Sequence, residues 1–347
     1  MIRTLKRSSL TVSKHLGLTS WLAESSWRRQ RLMILCYHGV SLDDEHEWHP
    51  GLYVSQAHLD RRLELLRRNR CTILPLDEAI QRLYANDLPD RAVALTFDDG
   101  YYDFLARAWP VVRSYGFPAT VYLTTGRVDH NTPMVHLLVS YGLWKARDRV
   151  LDGTGLRGPS GRYVLESPQE RQRAINDLMK VLPEMDIRVK DPIGRAVLER
   201  VGLDYDALAR RRLLTLLAPA EVSALAAEGV DFQLHTHLHR TPKDPEEFVE
   251  DVLYNRTRLD ALTGKRASHL CYPSGVYRPS YLPALAREGI VSATTCDPGL
   301  ASPTSDPLLL PRFVDTTSVT DVEFEAWVMG LASCLPRRTL RAHAAVH

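Results

Sequence analysis

The chain has 347 residues, 44% apolar and 25% charged, enough to bury a large core in one barrel-sized domain or two smaller ones. A net charge of +2 offers no global field for nucleic acid, and no apolar run reaches the length of a membrane-spanning helix. The cysteines, Cys36, Cys71, Cys271, Cys296 and Cys334, are odd in number, widely spaced and without a CxxC pair; they read as packing residues, not as a disulfide framework or a structural zinc site.

In chain order, residues 1–31 form a basic extension with Arg3, Lys6, Arg7, Lys14, Arg28, Arg29 and Arg31. It reads first as a solvated tail, and second, through Trp21, Leu22 and Trp27, as a peripheral contact with an anionic membrane. No uninterrupted apolar segment precedes a cleavage site, so the expected location is cytoplasmic, with association at the inner membrane face as the alternative. Short apolar runs then predict buried strands at Leu32 to Tyr37, Ala92 to Phe97, Thr120 to Leu123, Asp231 to Leu234, Leu270 to Tyr272, Val291 to Thr295 and Leu308 to Leu310.

Helical patterns lie between most of these runs. Ser55 caps a predicted helix carrying Leu59, Leu63 and Leu66; Asp244-Pro245 with Glu247 starts another through Phe248, Val252, Leu259 and Leu262, closed by Gly264. The alternation predicts an α/β fold with a parallel sheet, open or closed into a barrel, over residues 32–320. Between Thr125 and Asp231 the chain is far longer than one crossover helix requires, which predicts an insertion at 128–226 with helices over Gln169 to Leu182 and Arg195 to Leu203 and a Gly-rich turn from Asp152 to Gly161. That insertion is either a structural cover or a substrate-selecting lid. Residues 321–347 read as a C-terminal helix and a basic tail with Arg337, Arg338 and Arg341.

Chemistry-bearing residues fall at predicted C-terminal strand ends, where barrels assemble their sites: His38, Asp98-Asp99, His235 and Pro273-Ser274-Gly275. His235 and His239 are four apart, so a helical turn would face both imidazoles toward one ion. Two adjacent carboxylates at a buried strand end repel each other unless a cation or a shared proton relieves them. Gly100 lets the chain turn so that both approach one pocket. This set predicts a hydrolytic divalent-metal site with one carboxylate left over as a base.

Thr96-Phe97-Asp98-Asp99-Gly100 followed by His235-Thr236-x-x-His239 resembles the first two motifs of the polysaccharide deacetylase family, also called the NodB-homology family or carbohydrate esterase family 4. Cys36-Tyr37-His38, Gly116-Phe117-Pro118-Ala119-Thr120, Tyr272-Pro273-Ser274-Gly275 and Leu310-Pro311-Arg312 look like further landmarks in the same order. The resemblance implies a distorted (β/α) barrel in which Asp98 is the general base and Asp99, His235 and His239 hold one divalent metal. Zinc suits that set best, with cobalt, nickel or manganese as alternatives. It also implies an oxyanion donor at the Ser274 N–H, substrate contacts at Tyr272 and Pro273, and a general acid at His38, as in a subgroup with exopolysaccharide N-deacetylases whose acid lies in an N-terminal Tyr-His motif. No late Leu-x-His motif is present to supply the acid, and His343 sits in the basic tail.

The third motif lacks the arginine that orients the base in many members, so Arg312 is the expected substitute, with pairing to another carboxylate as its alternative. Asp103 is a weaker candidate for supporting the metal ligands, and Asp297-Pro298-Gly299 reads as a turn. The implied activity is removal of an N-acyl, chiefly N-acetyl, group from an amino-sugar polysaccharide or its lipid-linked precursor. Two other readings keep the fold: hydrolysis of a small non-sugar amide or ureide, and non-catalytic carbohydrate binding. Nothing in the sequence speaks to oligomeric state.

Overall fold

The computed structural model describes residues 22–130, 132–182 and 187–334, with the side chains of residues 187, 188 and 334 outside the description. The chain divides into two compact units, one formed by residues up to Asp129 and from Leu217 onward, the other by His130–Leu216.

The first unit is a barrel. Its strands include β1 (Met33–Tyr37), β2 (Gly39–Val40), β3 (Tyr53–Val54), β4 (Thr72–Ile73), β5 (Ala92–Asp99) and β6 (Thr120–Leu123). After the second unit, which carries β7 (Val150–Asp152) and β8 (Arg162–Val164), come β9 (Asp231–Leu234), β10 (His269–Cys271), β11 (Ser292–Pro298) and β12 (Leu310–Val314). Parallel pairing runs β1-β12-β11-β10-β9-β6-β5, and β5 pairs again with β1 to close a seven-stranded ring; β4 pairs with the first two residues of β5. Strands buried on both faces must be apolar throughout, and β1 and β5 are buried at every position.

Six of the seven predicted strands form close to their expected bounds; the seventh, expected at Leu308 to Leu310, is displaced and runs from Leu310 through Pro311 and Arg312 to Val314. Proline cannot donate to a ladder. Its missing donor is tolerated because the β11–β12 register shifts between the pairs Thr294–Leu310 and Pro298–Arg312, on either side of Pro311.

The helix Gln56–Arg68 starts as predicted, with Ser55 Oγ accepting the His58 N–H. The helix Pro245–Thr263 starts on Asp244, which accepts the Glu246 N–H, and stops at Gly264 with φ 69°. The helix Pro219–Ala227, expected inside the insertion, belongs to the barrel unit, where Ser223 Oγ donates to Leu262 O at 2.7 Å.

The basic extension is corrected in its described part. Arg28 is fully buried, and its Nε donates to Val328 O at 2.8 Å and its Nη1 to Arg31 O at 2.6 Å, so it is an anchor and not a solvated charge. Arg31 lies 4.0 Å over the half-buried Trp27 ring. Arg3, Lys6, Arg7, Lys14, Trp21, Arg337, Arg338, Arg341 and His343 lie outside the described residues. Among the described residues no helix is long and apolar enough to cross a membrane.

The second unit is largely helical, with helices Val135–Lys145, Pro168–Met179, Ile187–Arg200 and Tyr205–Arg210. The Gly-rich segment is the turn of an antiparallel β7–β8 hairpin. Gly142 lets two helices approach closely, since a Cβ there would come within 2.4 Å of Leu198 Cδ2.

Candidate metal centre and hydrolytic site

Register places the predicted residues at one edge of the barrel. Tyr37 sits opposite Phe97, so His38 follows β1 next to Asp98. Asp99 aligns with Leu123, Leu123 with Leu234, and Leu234 with Leu270, so His235 and Cys271 follow side by side.

Asp98 and Asp99 would face opposite ways in a regular strand. The alternation is broken by left-handed backbone at Asp99 (φ 68°) and Gly100 (φ 79°), and a Cβ on Gly100 would meet Leu123 Cδ1 at 2.1 Å. The expected helical turn under His235 and His239 does not form. The pair instead sits on a loop bent by left-handed Thr236 (φ 62°) and His239 (φ 53°), which brings the rings to 4.9 Å centroid separation. With Ser274 (φ 55°), four non-glycine residues at this edge hold a conformation that ordinary side chains avoid, a cost found where function demands a geometry.

His235 Nε2 and His239 Nε2 each lie 3.2 Å from Asp99 Oδ1, and the three atoms are within 4.8 Å of one another. Neither approach has hydrogen-bond geometry, and the buried Oδ1 has no hydrogen-bond partner. His235 Nδ1 is 2.8 Å from Cys271 O, which can only accept, so Nδ1 carries a proton and Nε2 is the nitrogen turned toward Asp99. An orphaned buried carboxylate oxygen facing two imidazole Nε2 atoms, one of whose rings is oriented by a backbone carbonyl, is the arrangement a divalent cation completes.

Asp98 lies beside this group and is spent differently. Its Oδ1 and Oδ2 each receive a 2.8 Å bond from Arg312, which is fully buried and also donates from Nε to Thr295 O at 2.9 Å. Of the two readings for Arg312, the structure shows pairing with Asp98. Burial pushes the Asp98 carboxyl up, but the Arg312 guanidinium, with His38 and His235, holds it below the usual carboxylate range. His38 Nε2 stands 3.7 Å from Asp98 Oδ2; burial pushes its imidazole below the ordinary value against the pull of Asp98 and Asp99.

Several expectations need correction. Tyr272, expected at the substrate, is fully buried, stacks on Phe248 and donates its hydroxyl to Leu308 O at 3.1 Å, so its side chain belongs to the core. Pro273 beside it is buried, whereas Ser274 is exposed. Asp103 Oδ1 accepts the Val40 N–H at 3.0 Å, not a bond from a metal-ligand candidate, and so ties the segment after His38 to the turn after Asp99. Burial, then Glu45 and Asp99, push its carboxyl well up against the Val40 bond. Cys271 does more than fill space, because its thiol lies 3.4 Å from Asp98 Oδ2 while its carbonyl orients His235. Asp297 is exposed at the end of β11, not in a turn.

Sequence reasoning missed Asn255 and Asp251. Asn255, fully buried, accepts the His235 N–H at 2.9 Å and donates to Leu123 O at 3.0 Å and Thr125 Oγ1 at 2.9 Å. Asp251 Oδ2 accepts the N–H groups of His237 at 2.7 Å and Leu238 at 3.2 Å. Asn255 had a signal: it occupies a core slot in the stripe Phe248, Val252, Leu259, Leu262, where a buried amide must have partners.

A family model described as polysaccharide deacetylase matches residues 85–293, more than half of the chain, and the chain belongs to that family. Among curated relatives, the Bacillus subtilis (strain 168) protein YxkH is 25% identical over 174 residues, covering 48% of this chain and 57% of YxkH. A poly-beta-1,6-N-acetyl-D-glucosamine N-deacetylase of Escherichia coli (strain K12) is 32% identical over 103 residues, covering 29% of this chain and 15% of the relative. The matches thus span only part of the length of these proteins. Among solved structures, Streptococcus pyogenes deacetylase PplD in complex with acetate aligns with TM-score 0.56 and 19% identity over 86% of this chain and 98% of its own. IcaB from Ammonifex degensii aligns with TM-score 0.55 and 17% identity over 86% and 97%. At these identities the likeness establishes the shared barrel fold.

Proposed function

We propose that the chain is a metal-dependent hydrolase that removes an N-acyl group, chiefly acetyl, from amino sugars of a polysaccharide or its lipid-linked precursor. The observation that carries this is the pairing of two unlike carboxylates at one barrel edge: Asp99 with an orphaned oxygen facing two imidazoles, and Asp98 clamped by Arg312. Asp99, His235 and His239 would hold the cation, and a set of two imidazoles and one carboxylate suits zinc while admitting cobalt, nickel or manganese. Such an ion would supply Lewis acidity, polarising an amide carbonyl and lowering the pKa of water toward neutrality.

The rest falls to the chain's own residues. Asp98, ionised and aimed by Arg312, takes the proton of the attacking water. The backbone N–H of Ser274, an exposed residue in a left-handed turn, donates to the oxygen that gains charge. His38, within 3.7 Å of Asp98, receives that proton and delivers it to the leaving nitrogen, so water and amide become a carboxylic acid and an amine. The curated relatives named for poly-beta-1,6-N-acetyl-D-glucosamine support a glycan substrate.

The test is acetate release from N-acetylated oligosaccharides, lipid-linked amino sugars and small non-sugar amides, with Asp98→Asn alongside. Release from the sugar substrates that collapses in Asp98→Asn supports the proposal. Turnover of the small amides alone assigns the fold to that chemistry, and no turnover of any amide leaves carbohydrate binding without catalysis.

A further inference from the structure

Asp98 is flanked by two thiols that the hydrolytic scheme does not use. Cys36 and Cys271 are both fully buried, and the Cys271 thiol lies 3.4 Å from Asp98 Oδ2. Two sets of donor atoms result, Cys36–His38–Asp98 and Asp98–His235–Cys271, each with its ligand atoms within 4.8 Å of one another. The second set is spent, because His235 turns Nδ1 to Cys271 O and Nε2 to Asp99. The first set stands apart from the Asp99 centre. Its imidazole is His38, with Nε2 3.7 Å from Asp98 Oδ2, and the Cys36 thiol makes a long, 3.5 Å bond to Tyr37 O. Metal–donor bonds of about 2.0–2.3 Å let one ion span such a sulfur and nitrogen.

Charge decides which ion fits. Asp98 and Arg312 already neutralise each other through two 2.8 Å bonds. A divalent ion that took one thiolate here would leave a net positive charge buried beside a guanidinium, which is costly. A monovalent ion in place of the thiol proton changes no charge. Thiolate is the ligand that soft ions select, and imidazole suits them as a partner. The His38 side chain is 21% exposed and gives the approach from solvent.

We propose that Cys36 and His38, beside Asp98, form a second metal site that takes a soft monovalent cation of the copper(I) class. The Cys36 S–H bond breaks, its proton goes to solvent, the sulfur bonds the ion, and the His38 lone pair makes the second bond; no electron is transferred. With that lone pair engaged, His38 cannot carry a proton to the leaving nitrogen, so the ion switches hydrolysis off. The inhibition rests on the deacetylase reading, whereas the binding stands without it.

The probe is silver(I), equal to copper(I) in charge and stable in air, added as the nitrate in chloride-free buffer. Calorimetry counts bound silver, and acetate release from an N-acetylglucosamine pentamer is followed on the zinc-loaded wild-type chain, Cys36→Ser, Cys36→Ala and Cys71→Ser, with bound zinc counted throughout. The wild-type chain should lose release at about one equivalent of silver while keeping its zinc. Both Cys36 variants should bind one silver fewer and need about tenfold more silver for half-inhibition, and Cys71→Ser should be inhibited like the wild-type chain. His38→Ala, read by calorimetry alone, should bind silver about tenfold more weakly at this site. An unchanged silver count in both Cys36 variants overturns the site, and so does inhibition matched by equal loss of zinc, which would put silver on the Asp99 centre. If the wild-type chain releases no acetate, the deacetylase reading falls, and the silver counts alone decide the second site.

Discussion

Replacing Arg312 with methionine tests how the base is held. Methionine refills the space of the stem but leaves Asp98, 2% exposed, without its cation. Removing one partner of a buried ion pair costs about 3–5 kcal/mol, and the lost bond to Thr295 O adds about 1 kcal/mol. The single variant should therefore lose about 4–6 kcal/mol, read as a fall in the urea midpoint with metal chelated throughout so that ion binding does not shift the comparison. Combining Arg312→Met with Asp98→Leu should recover much of that loss, because an apolar replacement of a buried pair is often neutral.

A second readout concerns activity. Arg312 holds the Asp98 carboxyl low, so its removal raises that value and the base ionises only at higher pH. The acid limb of the Arg312→Met rate profile should move upward in pH. A single-variant loss below about 1 kcal/mol, with no recovery in the double variant, would refute the reasoning that the pair is buried and mutually dependent.

Two further predictions follow from the supports of the site and barrel. Asn255→Ala frees the His235 backbone from its anchor and should weaken metal affinity about 10–100-fold in a chelator competition; unchanged affinity would show that the loop holds itself. His269 is fully buried, with Nδ1 2.8 Å from Ser292 Oγ and Nε2 3.3 Å from Asp77 Oδ1. Burial depresses its imidazole, against the pull of Asp231 and Asp77. The unfolded chain takes up that proton near pH 6.5 and the folded chain only below it, so stability should fall as pH drops through about 6.5. Thermal melts from pH 7.5 to 5 should show a shallower decline in His269→Asn, and equal slopes would contradict the assignment.

The barrel strands were legible because strands buried on both faces must be continuously apolar, and the helix starts because Ser55 and Asp244 act locally. Legibility failed where tertiary context decides. The last strand was expected at Leu308 to Leu310 from its apolar run, but it runs Leu310–Val314 through Pro311 and Arg312, where a register shift in β11 accommodates the proline. The His235–His239 spacing suggested a helical turn, whereas left-handed Thr236 and His239 achieve the same convergence on a loop that no local propensity favours. Tyr272 looked available because a motif position says nothing of which way the side chain points, and Arg28 looked solvated because its carbonyl partner Val328 lies 300 residues away.

The most direct measurement is acetate release from an N-acetylated oligosaccharide by the wild-type chain and by Asp99→Ala, after stripping metal with a chelator and after adding back zinc, cobalt, nickel or manganese. The account predicts loss of release on stripping, restoration by at least one ion, and no restoration in Asp99→Ala at ion concentrations that saturate the wild-type chain. Full release by the stripped wild-type chain, or equal restoration in Asp99→Ala, would contradict it.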